Sequence, residues 1–201
     1  MIGGVLTFLR QHLDAHLRTE LGETQDDPSS DKIVFVDGDK FEPISFKLGA
    51  VSELLINVEE ERVLREPDLY ARQSADGPPL RSQPDIRLFL YILFVARFKQ
   101  YESAWEHLSK IIEHFQTVRV LDRETAPDLP AGIEKLVFEL VTLNFAEQNE
   151  VWNALRITHH PSLLYRVKLV VYRDREPQTQ PKVKEEPTVR SKLMDQNERI
   201  K

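Results

Sequence analysis

Three groups of residues in this chain have types and spacings that could do chemistry. His159 and His160 stand side by side just before Pro161. Adjacent side chains seldom reach one metal ion together, so a metal role needs ligands from elsewhere, and a loop role explains the pair more simply. His107 and His114 stand two helical turns apart, with Glu106 and Glu113 beside them. Helical zinc pairs stand one turn apart, so this spacing predicts a solvated helix face. Glu59, Glu60 and Glu61 run into Arg62 and Arg65. Three carboxylates suggest cation binding or acid/base work, but consecutive residues on a strand point to alternate faces and do not converge. A charged strand end that pairs with another subunit is the expectation set beside simple solvation.

The motifs of common enzyme classes are absent. Seven glycines are scattered, and none builds a phosphate-binding GxxxxGK[ST] or GxGxxG loop. No GxSxG elbow or HExxH helix occurs. There are no cysteines, which removes disulfides, thiolate metal sites and a cysteine nucleophile. Trp105 and Trp152 fall on the apolar stripes of their helices, where core packing is expected. No catalytic residue, metal ligand or cofactor is assigned, and the chain reads as a non-enzyme. A hydrolase site around the His159–His160 pair is kept as an alternative from another class.

Composition agrees with a soluble, globular protein: 41% hydrophobic and 30% charged residues over 201 positions. A formal charge of −6 argues against a nucleic-acid partner, because phosphate binding needs a concentrated basic face. No basic stretch with an apolar run opens the chain, so no secretory signal is visible. The longest apolar run, Ile86 to Phe98, is broken by Arg87 and Arg97 and falls short of the roughly 20 residues a membrane span requires. Cytoplasmic synthesis without membrane insertion is expected.

The elements that must position these residues follow from periodicity. Ile2 to Leu21 has the helical recurrence Val5, Leu9, Leu13, Leu17, with Arg10, Asp14, Arg18 and Glu20 on other faces and Gly22 as a stop. Ile33 to Val36 reads as a strand, followed by an Asp37-Gly38 turn. Phe41 to Lys47 is a weaker continuation of a hairpin because of Pro43. Ala50 to Val58 is a strand, and Arg65 to Gln83 a long proline-bearing connector of the kind found at interfaces. Ile86 to Phe98 is apolar on both faces, as a central strand should be.

Glu102 to Gln116 is a helix with Ala104, Leu108, Ile111 and Phe115 on one stripe, widened by Trp105 and Ile112. Ile133 to Leu143 alternates as a strand, with Leu136, Phe138 and Leu140 pointing one way. Ala146 to Leu155 is a short helix burying Val151, Trp152 and Leu155, and Leu163 to Tyr172 is the last strand. The order predicts an α+β fold: a mostly antiparallel mixed sheet with helices packed on one face. The domain is expected to span residues 1–173. Beyond it, residues 174–201 carry prolines and charge with little apolar surface and read as a polar arm. Val189, Leu193 and Ile200 share one helical face there and are the expected docking residues of that arm.

Four separated blocks carry a resemblance. They are VLTFLRQHLDAHLRTELG, LLINVEEERVLREP, IRLFLYILFVARFKQYESAWEHLSKIIEHFQ and LPAGIEKLVFELVTLNFAEQNEVWNALRITHHPSLLYRVKLVVY. In this order they resemble the cap, or tail-terminator, proteins of extracellular contractile injection systems, the antifeeding-prophage and virulence-cassette type particles. The resemblance spans residues 1–173. It implies a structural subunit that forms a hexameric ring with its own copies on the distal end of the inner tube. Such a ring ends tube growth and anchors the last layer of sheath, so inner tube and sheath proteins are the implied partners. The particle is assembled in the cytoplasm, whether released or not. The alternatives are another component of such a particle, a neck or baseplate adaptor, and a peptide-binding adaptor using the loop from Arg65 to Gln83.

Overall fold

The computed structural model describes residues 1–22, 31–36, 44–61, 80–81, 87–171 and 178–179. In chain order the elements are α1 (Ile2–Glu20), β1 (Ile33–Phe35), β2 (Ala50–Glu60), β3 (Leu80–Arg81) and β4 (Arg87–Arg97). They continue with α2 (Tyr101–Thr117), β5 (Val120–Asp122), β6 (Ile133–Val141), α3 (Phe145–Leu155), β7 (Ser162–Val171) and β8 (Gln178–Thr179). The chain divides into two compact units, residues 1–65 with 85–174 and residues 66–84 with 175–201. In the second unit β3 pairs antiparallel with β8, Leu80 opposite Thr179.

The first unit is built on a six-stranded sheet in the order β1-β2-β4-β7-β6-β5. All neighbours are antiparallel except β1, which runs parallel to β2 with Ile33 opposite Val51. This is the expected α+β class with a mostly antiparallel mixed sheet. The hairpin expected from Ile33–Val36 into Phe41–Lys47 lies partly outside the described residues, and within them β1 pairs with β2. A clamp from α1 sets that placement. Asp14 Oδ1 accepts the backbone amides of Lys32 at 2.6 Å and Ile33 at 3.1 Å. Arg18 donates to Asp14 and to Asp31, each at 2.7 Å. Arg18 is therefore buried at 7% exposure, not set on an outer face; ionic partners on both sides make that burial tolerable.

The middle strand β4 explains the two-sided apolar run. Leu90, Ile92, Phe94 and Ala96 face one core, and Leu93 and Val95 the other. The larger core gathers Leu9, Leu13 and Leu17 of α1, Leu108, Ile111 and Phe115 of α2, and Leu136, Phe138, Val167 and Leu169 of the sheet. Burying each such side chain contributes about 1.5–3 kcal/mol. The smaller core, on the opposite face, sets Trp152 of α3 against Phe46, Leu93, Val95 and Leu164. The helices thus divide between the two faces, α1 and α2 on one and α3 on the other. A central strand with apolar residues at odd and even positions needs cover on both sides. Among the described residues no helix is long and apolar enough to cross a membrane.

Candidate functional site

Among the described residues the smaller core covers its sheet face near one end of the strands. Toward the other end that face is charged. Two rows cross four strands: Glu59, Phe89, Lys168 and Val137, then Asn57, Tyr91, Arg166 and Glu139. Tyr91 Oη donates to Glu59 Oε2 at 2.9 Å. Arg166 Nε donates to Glu139 Oε2 at 2.9 Å while its guanidinium lies 4.8 Å from the Phe89 ring centre. Lys168 Nζ donates to Glu61 Oε1 at 2.7 Å. Each pair joins neighbouring strands or skips one, so the network ties β2, β4, β7 and β6 together and offers no unpaired acid/base dyad.

The predicted rim therefore splits. Glu59 and Glu61 are engaged within the subunit, and Glu60 between them is exposed on the alternate side. Arg62 and Arg65 lie outside the described residues, as do Val189, Leu193 and Ile200. Arg166, Lys168 and Glu139 went unmarked in the sequence reading. The signal for Arg166 and Lys168 was the alternation of β7, where Leu164, Arg166 and Lys168 interleave with Tyr165, Val167 and Leu169, and that for Glu139 its place in the alternation of β6.

The histidines fall into two settings. His159 Nε2 lies 3.0 Å from Gln148 Nε2, and His160 Nδ1 donates to the Thr158 carbonyl at 2.7 Å. Both rings pack on Trp152, at 5.2 and 6.1 Å between centres. The pair thus belongs to the loop under α3. Among the described residues no group of three His, Asp or Glu side chains forms a metal site.

His107 and His114 do not lie on a solvated face. They are buried, at 6% and 9% exposure. The His107 ring packs at a tilt on Phe98 with centres 4.3 Å apart, and its Nδ1 donates to the Ser103 carbonyl at 2.7 Å. His114 Nε2 is 3.0 Å from His12 Nε2, and its ring is 4.2 Å from that of His16. The buried stripe of α2 runs through Ala104, His107, Leu108, Ile111, His114 and Phe115. Both histidines sit within this arc by position, whatever their polarity. Burial, with His16 and His12 adding, lowers the His114 pKa to about 4. Burial and then His16 also lower that of His12. The one-turn spacing of His12 and His16 on α1 was the available sequence signal.

Two further features stand out. Glu53 is 2% exposed on the strand face that carries Val51 and Leu55, and among the described residues neither carboxyl oxygen has a hydrogen-bond partner. Burial pushes it up to about 8, against the opposing charge of Arg10. Trp105, expected in the core, is 42% exposed beside Tyr101, their rings 5.9 Å apart. It lies outside the buried stripe of α2. Trp152 is buried as expected, at 5%.

Comparison with known proteins bears on this arrangement of two cores and a charged sheet face. A cryo-EM structure of the sheath/tube terminator of an extracellular contractile injection system, PVC, in its extended state shares the fold. The match covers 96% of this chain and 71% of that one, at 17% identity and a TM-score of 0.52. The cryo-EM structure of the anti-feeding prophage tube-terminating cap matches 69% of this chain and 48% of its own. Its 16% identity and TM-score of 0.43 are too slight to support an argument. No curated protein matches. The model of the Pvc16 N-terminal domain matches residues 4–186, and the chain belongs to that family.

Proposed function

We propose that this protein is a tail terminator of a contractile injection particle. In this reading it forms a hexameric ring on the distal end of the inner tube, ends tube growth and anchors the last sheath layer. It works by binding and not by catalysis. The observation that carries the proposal is the fold shared over 96% of the chain with a sheath/tube terminator. Membership of the Pvc16 N-terminal domain family over residues 4–186 supports it.

A ring subunit needs two different surfaces that close by rotation. Among the described residues β1 pairs with Val51, Ser52 and Glu53, and the outer edge of β2 runs on past β1 into the Glu59–Glu61 rim. We assign Glu59, Glu60, Glu61, Arg62 and Arg65 to the contact between neighbouring subunits. Glu60, exposed at the end of β2, is its foremost member. The arm is assigned a docking role on a neighbouring subunit or sheath protein through Val189, Leu193 and Ile200. Assembly takes place in the cytoplasm.

Immunogold labelling of purified particles tests the proposal directly. Label confined to the end opposite the baseplate, with overlong tubes when the protein is missing, is the expected result. Label at the baseplate, or normal tubes without the protein, would overturn it in favour of an adaptor role. Combined Glu60→Lys and Arg62→Glu reversal should abolish ring assembly while leaving the fold intact, and intact rings would remove the rim from the interface.

A further inference from the structure

The seam between α1 and α2 concentrates ionisable groups in a way the terminator reading does not use. His12 and His114 meet through their Nε2 atoms at 3.0 Å. One nitrogen must donate and the other accept, so the bond requires at least one neutral imidazole. His16, one turn beyond His12, brings its ring to 4.2 Å from that of His114. Aromatic rings wall the site: Phe8 stacks on His12 at 5.5 Å, and Phe115 lies 5.3 Å from His114.

The facing charges do not compensate a second proton. Lys110, one turn from His114 on α2, holds Glu20 of α1 at 3.4 Å and Glu113 at 2.9 Å. Asp14 of α1 is engaged by Arg18 and by the start of β1. From the sheet side, Phe138 and Tyr165 pack on Phe115 and bring no charge near neutral pH.

We infer that His12 and His114, packed beside the His16 ring, form a pH-sensitive clasp, which holds α1 to α2 while their Nε2 atoms share one proton and loosens on acidification. Once His12 and His114 both carry protons, both nitrogens are donors and the bond is lost. Two cations then share a partly buried seam. α1 covers the larger core through Val5, Leu9, Leu13 and Leu17, so loosening it exposes apolar surface. Burial depresses both groups, the direction such a device requires. The sign follows by linkage. The clasp's contribution is complete above the unfolded histidine value of 6.5, and it declines as pH falls toward the folded value of about 4 for His114. The inference concerns the subunit itself and stands apart from the terminator reading.

The test is an imidazole NMR titration of the full chain from pH 8 to 4, joined to urea unfolding at pH 7.5 and 5.0. The wild type is compared with His114→Gln and His12→Gln. His12 and His114 should titrate together, well below ordinary histidine. Between the two pH values the unfolding constant of the wild type should rise about tenfold more than that of either variant. Glu53, which acts in the opposite sense, is common to all three proteins and cancels. Independent titration of both histidines near 6.5, or equal pH dependence in wild type and variants, would overturn the clasp. If the variants do not fold, the wild-type titration decides alone.

Discussion

Lys168 Nζ sits 2.7 Å from Glu61 Oε1, joining the last long strand of the sheet to the residue just beyond β2, across the intervening β4. The Glu61 side chain is only 8% exposed and that of Lys168 25%. A carboxylate this enclosed depends on its partner more than a surface ion pair does.

Removing the lysine should therefore be costly. Lys168→Met is expected to lower stability by about 1–3 kcal/mol, since it leaves a largely buried carboxylate without its cation. Adding Glu61→Gln should recover most of that loss. Urea unfolding of the two single variants and the double variant, treated as a cycle, measures the coupling.

The two tryptophans should separate sharply. Trp152 packs with Phe46, Leu93, Val95 and Leu164, so Trp152→Ala should cost about 3–5 kcal/mol. Trp105→Ala, at a site 42% exposed, should stay within about 0.5 kcal/mol. Thermal melts of both variants check this, and equal effects would mean that Trp105 is covered in solution.

Glu53 predicts a stability loss as pH rises. Its folded pKa of about 8 lies above the ordinary carboxyl value of 4.5, so the folded state holds a proton that the unfolded state has released. Stability contributed by the protonated form falls as pH climbs through this window and levels off above about 8. From pH 7 to 8 the wild type should lose about 1 kcal/mol, while Glu53→Gln stays level. A wild-type profile flat over that range would show that the carboxyl is paired or hydrated.

The start of α3 offers a local test. The Asn144 side chain accepts from the Ala146 and Glu147 amides at 2.9 and 3.0 Å, and Glu147 returns a bond to the Asn144 amide at 2.9 Å. Asn144→Ala should cost about 1 kcal/mol in urea unfolding, and Asn144→Asp much less.

Periodicity alone determined the three helices, the long strands and the class, while the short strand β5 went unread. The leucines of α1, the alternation in β6 and β7, and the two-sided apolar run of β4 each state a period and a burial demand without reference to distant residues. Four ordered blocks of sequence likewise sufficed for the family resemblance, which the match over residues 4–186 bears out. Three things were left to the tertiary structure. The parallel placement of β1 depends on Asp14 and Arg18 reaching across from α1. The division of the helices between two faces depends on where α3 meets Leu93 and Val95. The burial of His107 and His114 depends on how α2 is turned against α1 and the sheet. Residue type measures how much a side chain prefers water, but burial is decided by position on a packed face. A polar group goes inside wherever neighbours such as His12 or Ser103 satisfy it.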